Sequence, residues 1–114
     1  MKRNSLVAIL LITMIGVILF GCQNEENTSD NKLSVITSFY PMYEFTKQVA
    51  GDRADVMLMV SDGQDAHHYE PSAKDVAHVN EADVFVYSSE DMEHWVRSLL
   101  KTIENDNLVI ARAA

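Results

Sequence analysis

The run Asp65-Ala66-His67-His68-Tyr69-Glu70-Pro71-Ser72 holds the residues best suited to chemistry in this chain. It sets two imidazoles beside a turn, and imidazole is the commonest protein ligand for a transition metal. Adjacent side chains on an extended loop point in different directions. His67 and His68 are therefore not expected to chelate one ion together: one of the two is the ligand, and the other faces solvent. The plainer alternative, a pair of loop histidines with no metal role, stands beside this reading. Glu70 could ligate a metal or accept hydrogen bonds at the following helix start, where an anion is favoured, and the structural role is the expected one. Asp62 and Asp65 read as turn residues that add negative field without coordinating. His78 and His94 fall on predicted helices and are expected to be solvated or partly packed rather than ligands. Met92 and Trp95 lie at helical spacing, which points to core packing.

Other chemistries lack their residues. Gly51 and Gly63 do not have the spacing of a phosphate-binding loop. There is no nucleophile elbow, no cysteine pair and no HExxH run, so the residues point to binding rather than to an enzyme. The formal charge of the 114 residues is −8. A surface of that sign repels nucleic acid and anionic lipid and favours cations. The lone cysteine, Cys22, rules out an intramolecular disulfide, and its position gives it meaning. Lys2 and Arg3 precede an apolar stretch from Leu6 to Phe20, which ends at Gly21-Cys22. That is the layout of a secretory signal, and the stretch is shorter than the roughly 20 residues of a spanning helix. Leu-x-Gly-Cys resembles a bacterial lipobox, with Phe20 bulkier than the usual residue at its position. Cys22 is then the expected lipidation site, residues 1–21 the signal peptide, and the lipid bilayer a partner through that anchor. An uncleaved signal anchor with a free thiol is the alternative.

Around these residues the pattern is α/β. Residues 22–32 carry Gln23 to Lys32 (QNEENTSDNK), a stretch with no apolar residue that reads as a flexible tether. From Leu33, β-branched runs alternate with helical periods. Leu33 to Thr37, Asp55 to Val60, Asp83 to Tyr87 and Leu108 to Ala111 read as strands. Pro41 suits a helix start; Met42, Phe45 and Val49 recur at helical spacing, and Gly51 stops that helix. Ser72 and Asp75 have the spacing of a capping box, with Val76 and Val79 marking a buried side. Ser88 or Ser89 can cap a third helix whose stripe is Met92, Trp95, Val96, Leu99 and Ile103. Runs apolar on both faces imply a four-stranded parallel sheet with helices on both faces and right-handed crossovers. The expected strand order is 2-1-3-4, with the histidine loop at the carboxyl edge near the reversal of order. Residues 33–114 form this lobe. They stop just after the fourth strand, so the chain reads as a truncated unit.

These residues resemble one family. Ser38-Phe39-Tyr40-Pro41-Met42-Tyr43-Glu44-Phe45, Val49-Ala50-Gly51-Asp52, Gly63 through Asp75, Ala82-Asp83 and Glu93-His94-Trp95 occur in family order. The family is the solute-binding lipoproteins of zinc and manganese ABC importers, of the AdcA and ZnuA type. The resemblance implies an extracytoplasmic, lipid-anchored zinc-capture protein that serves a membrane-embedded ABC permease. In that family the loop reads Pro-His-x-Tyr-Glu-Pro and its histidine binds metal, which assigns the ligand to His67. His68 then falls at the variable position as a possible accessory, and Ala66 replaces the usual proline. The Phe-Tyr-Pro-x-Tyr-Glu-Phe opening resembles the zinc members, so Zn2+ is expected ahead of Mn2+. The family has two lobes, and its remaining ligands lie beyond residue 114, which implies a partial N-terminal lobe that binds zinc weakly. Two rival expectations are a lipid-anchored adhesion protein, a role also ascribed to this family, and a non-functional remnant.

Overall fold

The computed structural model describes residues 31–114. The signal segment, Cys22 and all but the last two tether residues lie outside the described residues. Four strands and three helices alternate: β1 (Leu33–Thr37), α1 (Tyr40–Ala50), a single 3-10 turn (Gly51–Arg53), β2 (Ala54–Leu58), α2 (Ala73–Glu81), β3 (Val84–Tyr87), α3 (Val96–Leu100) and β4 (Val109–Arg112). All pairings are parallel and the order is β2-β1-β3-β4, as the alternating pattern implied. The chain leaves β1 toward β2 on one side and later returns to place β3 on the other. With right-handed crossovers this reversal puts α1 on one face and α2 and α3 on the opposite face.

Register explains what each face buries. Ile36 pairs with Met57 and with Phe85, and Phe85 pairs with Ile110, so these side chains share a face. In its centre Ile36 and Phe85 are buried with Val79 of α2, Val96 and Leu99 of α3, and Trp95. At its margins Met57 and Ile110 are about half exposed (45% and 50%), because β2 and β4 are edge strands that α2 and α3 do not cover. The expectation of strands buried on both faces therefore holds for Val35 to Thr37 of β1; β3 is buried on one face (Phe85, Tyr87) and half-buried on the other (Val84, Val86), and at the edges Asp55 and Val109 are exposed.

Three local expectations need correction. In α1 only Met42 is buried; Phe45 and Val49 are 63% and 81% exposed. Helical spacing places residues on one stripe, but the sheet meets α1 along a different line. The second strand ends at Leu58, although Met59 and Val60 still donate their N–H groups to the Thr37 and Ser38 carbonyls at 2.9 and 2.8 Å. The third helix starts at Val96 rather than at Ser88 or Ser89. Those serines instead form a turn in which the Met92 and Glu93 N–H groups donate to the Ser89 carbonyl at 3.1 and 2.8 Å.

The start of α2 follows the sequence signal. Asp75 N–H donates to Ser72 Oγ, and the Ser72 N–H and hydroxyl both donate to Asp75 Oδ2 at 2.7 Å. The hydroxyl of Tyr69 donates to the same oxygen at 2.9 Å. Burial pushes the Asp75 carboxyl up, but the bonds from Ser72 and Tyr69 outweigh it and hold the group below its ordinary value. Ser72→Ala is expected to cost about 1 kcal/mol. Because the folded carboxyl titrates below its unfolded value, its contribution is present above pH 3.8 and is lost as pH falls through the folded value. Acid unfolding checks this: the wild-type advantage over Ser72→Ala should shrink in that window and be unchanged near neutrality.

Candidate metal centre

The histidine loop leaves the carboxyl end of β2 and crosses toward the segment after β3, over the place where strand order reverses. Open α/β sheets bind ligands at such crevices. The loop begins with a turn in which the Gln64 N–H donates to the Ser61 carbonyl at 3.1 Å. Gly63 has φ +83°, a conformation that a side chain disfavours. Asp65 then organises the histidine pair: Oδ1 accepts the backbone N–H of His67 at 2.8 Å, and Oδ2 lies 2.6 Å from His68 Nδ1. The His68 ring and the His67 N–H hold the Asp65 carboxyl below its ordinary value. An ionised carboxylate only accepts, so His68 Nδ1 carries the hydrogen and its Nε2 is left outward. Asp65 is thus more than a source of negative field; it orients the His68 ring and holds the backbone of His67.

The far side of the loop is pinned to the body. Trp95 Nε1 donates to the Ala66 carbonyl at 2.8 Å, and the Tyr69 ring meets Trp95 edge-on at 5.3 Å between centroids. Burial, and then the bond to Asp75, push the Tyr69 phenol up to about 12, so it stays a donor at neutral pH. Ala66 therefore sits on a fixed point although it lacks the ring of a proline. Trp95 is buried, as helical spacing suggested, but it also holds the loop, a role spacing does not reveal.

The residue before it is anchored as firmly. Glu93 is fully buried. Its carboxylate accepts the Ser88 and Ser89 N–H groups at 3.0 and 2.9 Å, and the Ser38 hydroxyl donates to its other oxygen. This ties the end of β1 to the end of β3. Between Glu93 and Trp95 stands His94, exposed, with its ring centroid 6.5 Å from that of His67. His67 and His68 are also 6.5 Å apart by centroid. Sequence spacing set His94 aside as a helical surface residue; the fold instead places it beside the loop. A tertiary contact across 27 positions leaves no periodic signal in either segment.

The other sequence candidates separate from this cluster. His78 is half-buried on α2 and lines a different cleft with Ile36, Met57 and Lys74. Glu70 is exposed, and the helix start it was expected to serve is bonded by Ser72 and Asp75. With Asp65, His68 and Tyr69 it borders an open depression of about 380 Å³. Asp62 is exposed in the opening turn. Among the described residues, no three His, Cys, Asp or Glu side chains converge as a metal cage. None of the described helices is long and apolar enough to cross a membrane.

Known proteins share this sequence and fold. The family model for zinc-uptake complex component A, periplasmic, matches residues 35–114. The zinc-binding lipoprotein AdcA of Streptococcus pneumoniae is 46% identical over 107 residues, covering 94% of this chain and 21% of the relative. The crystal structure of the Zn(II)-bound ZnuA-like domain of S. pneumoniae AdcA superposes with a TM-score of 0.66 at 52% identity, over 71% of this chain and 30% of that one. The laminin-binding protein Lmb of Streptococcus agalactiae, described as bifunctional with adhesin and metal-transporting activity, gives 0.63 at 43% identity, over 71% and 30%. The chain thus spans about a fifth of the AdcA lipoprotein and under a third of the solved chains. The match across residues 35–114, together with the sheet order and the placement of the loop, shows that this chain belongs to the ZnuA family of zinc-uptake proteins.

Proposed function

We propose that residues 33–114 are the metal-receiving N-terminal lobe of an extracytoplasmic zinc-capture protein. The lobe would be tethered through residues 22–32 and a lipid on Cys22, after removal of residues 1–21, and would pass zinc to a membrane-embedded ABC permease. The observation that carries this reading is His67, an exposed imidazole whose backbone is held by Asp65 at its own N–H and by Trp95 at the Ala66 carbonyl. The zinc-binding name of the AdcA relative and the Zn(II) in its solved domain support the choice of metal. Chemistry agrees: imidazole suits zinc, whereas carboxylate and water suit manganese. The role is binding, not catalysis.

Tight zinc sites use three or four protein ligands. The described residues assemble no such set, so water completes the sphere, and this chain is expected to bind zinc weakly with fast exchange. Calorimetry at neutral pH on the full chain in detergent is the test. Wild type should show weak heat that His67→Ala abolishes and His78→Ala leaves unchanged. Nanomolar binding by the monomer, or full heat from His67→Ala, would overturn the assignment. In the same preparations, Cys22→Ser should lose the fatty-acid label that wild type takes up in growing cells; equal labelling would remove the anchor.

A further inference from the structure

We infer that His94 is a second zinc ligand on this lobe, forming with His67 a two-imidazole receiving site. The inference rests on the zinc reading of His67 and adds a residue from a different segment of the chain. Three observations carry it.

The first is proximity. The ring centroids of His67 and His94 lie 6.5 Å apart. Two imidazoles on one tetrahedral ion place their centroids about 5 Å apart, given Zn–N bonds of about 2.0–2.1 Å. Both residues are exposed, which leaves the His67 side chain room to turn toward His94 while His94 keeps its bond to the Glu90 carbonyl.

The second is that the distance is built in. His94 lies between two buried residues, Glu93 and Trp95. Glu93 is bonded to Ser88 and Ser89, and Trp95 is bonded to the carbonyl of Ala66, the residue just before His67. The same tryptophan that fixes the backbone beneath His94 therefore fixes the backbone of the His67 loop. His68, the other neighbour of His67, follows it directly on the same loop, where successive side chains point in different directions, and its side chain is 85% exposed.

The third is the tautomer. His94 Nδ1 lies 2.9 Å from the Glu90 carbonyl oxygen. A carbonyl oxygen only accepts, so Nδ1 carries the hydrogen and Nε2 of the neutral ring keeps its lone pair. Metal-binding histidines show this arrangement, with the distal N–H donated to a carbonyl or carboxylate that orients the ring. The two protein ligands leave the remaining positions to water, consistent with the absence of a closed cage among the described residues.

The test is zinc titration of the full 15N-labelled chain in detergent, followed by the imidazole 15N resonances and by competition with a chromophoric chelator. His94 Nε2 should shift in step with the His67 ring at the same zinc equivalents, with His78 unmoved. His94→Ala should weaken zinc binding by more than about tenfold, the lower range seen when only a supporting partner of a ligand is lost. His94→Asn, which keeps a side-chain donor near the Glu90 carbonyl but lacks Nε2, should weaken it equally while the amide spectrum stays that of the folded chain. If His67→Ala abolishes binding but neither His94 variant changes it, and the His94 resonances do not move, the second ligand is refuted and the zinc reading stands. If His67→Ala itself binds as wild type, the zinc reading of this loop fails with it.

Discussion

Glu93→Ala is expected to destabilise the chain by about 4 kcal/mol. The carboxylate is fully buried and receives hydrogen bonds from the Ser38 hydroxyl and the Ser88 and Ser89 N–H groups. Removing it strands the buried Ser38 hydroxyl and two half-buried N–H groups; a buried unsatisfied donor costs about 1–3 kcal/mol, and the half-buried pair less each. A domain of this size has about 5–15 kcal/mol of stability in total, so the loss is a large fraction. Glu93→Gln keeps the shape and one acceptor oxygen but turns an NH2 toward donors, so it should fall between alanine and wild type. Urea unfolding measures the series. Equal midpoints for Glu93→Ala and wild type would show that the network contributes nothing net. The change also opens the junction between the ends of β1 and β3, which supports the backbone under His94.

Trp95→Ala is expected to cost about 3–5 kcal/mol, the range for deleting a large aromatic side chain from a packed site. It removes the indole from the cluster with Phe85, Val96 and Leu99, the edge contact with Tyr69 and the bond to Ala66. Trp95→Phe separates these contributions. It retains most of the packing and the aromatic contact but loses the N–H donor, so it should cost about 1 kcal/mol while freeing the loop. Hydrogen exchange over residues 64–69 reads the second effect: exchange should quicken in Trp95→Phe even where global stability changes little. Protection of that segment at the wild-type level would mean that Ala66 is held by something other than the indole.

Much of the architecture was legible because it depends on local chemistry. The β-branched runs of β1 and β3 and the Ser72–Asp75 box each declare themselves within a few residues, and the strand order follows from alternating elements and right-handed crossovers. What escaped depends on partners distant in sequence. Phe45 and Val49 have the right spacing for a buried stripe, yet the line along which α1 meets the sheet is set by β1 and β2. Ser89 has the composition of a helix cap and its Oγ accepts the Met92 N–H at 3.3 Å, but the turn it caps does not continue, and the helix begins only at Val96. At the candidate site, residue type and family resemblance pointed to His67. His94 was set aside, because its proximity to the loop arises through Trp95 and the Ala66 carbonyl.

The central position of β1 has a consequence in time. Its links to β2 span 20 residues, from Thr37 to Met57. Its links to β3 span 49, from Ser34 to Asp83, and the tie from Ser38 to Glu93 spans 55. Contacts that distant require long loop closure before they return any stabilisation, which makes parallel sheets slow to form. A ribosome releases the chain from its N-terminus, so the β1–β2 pair can assemble while the second edge of β1 has no partner. That edge stays open until the residues around Asp83 to Glu93 emerge. The strand made first waits through nearly fifty residues for its second partner, and the stretch that completes its enclosure ends at Glu93, the residue before His94.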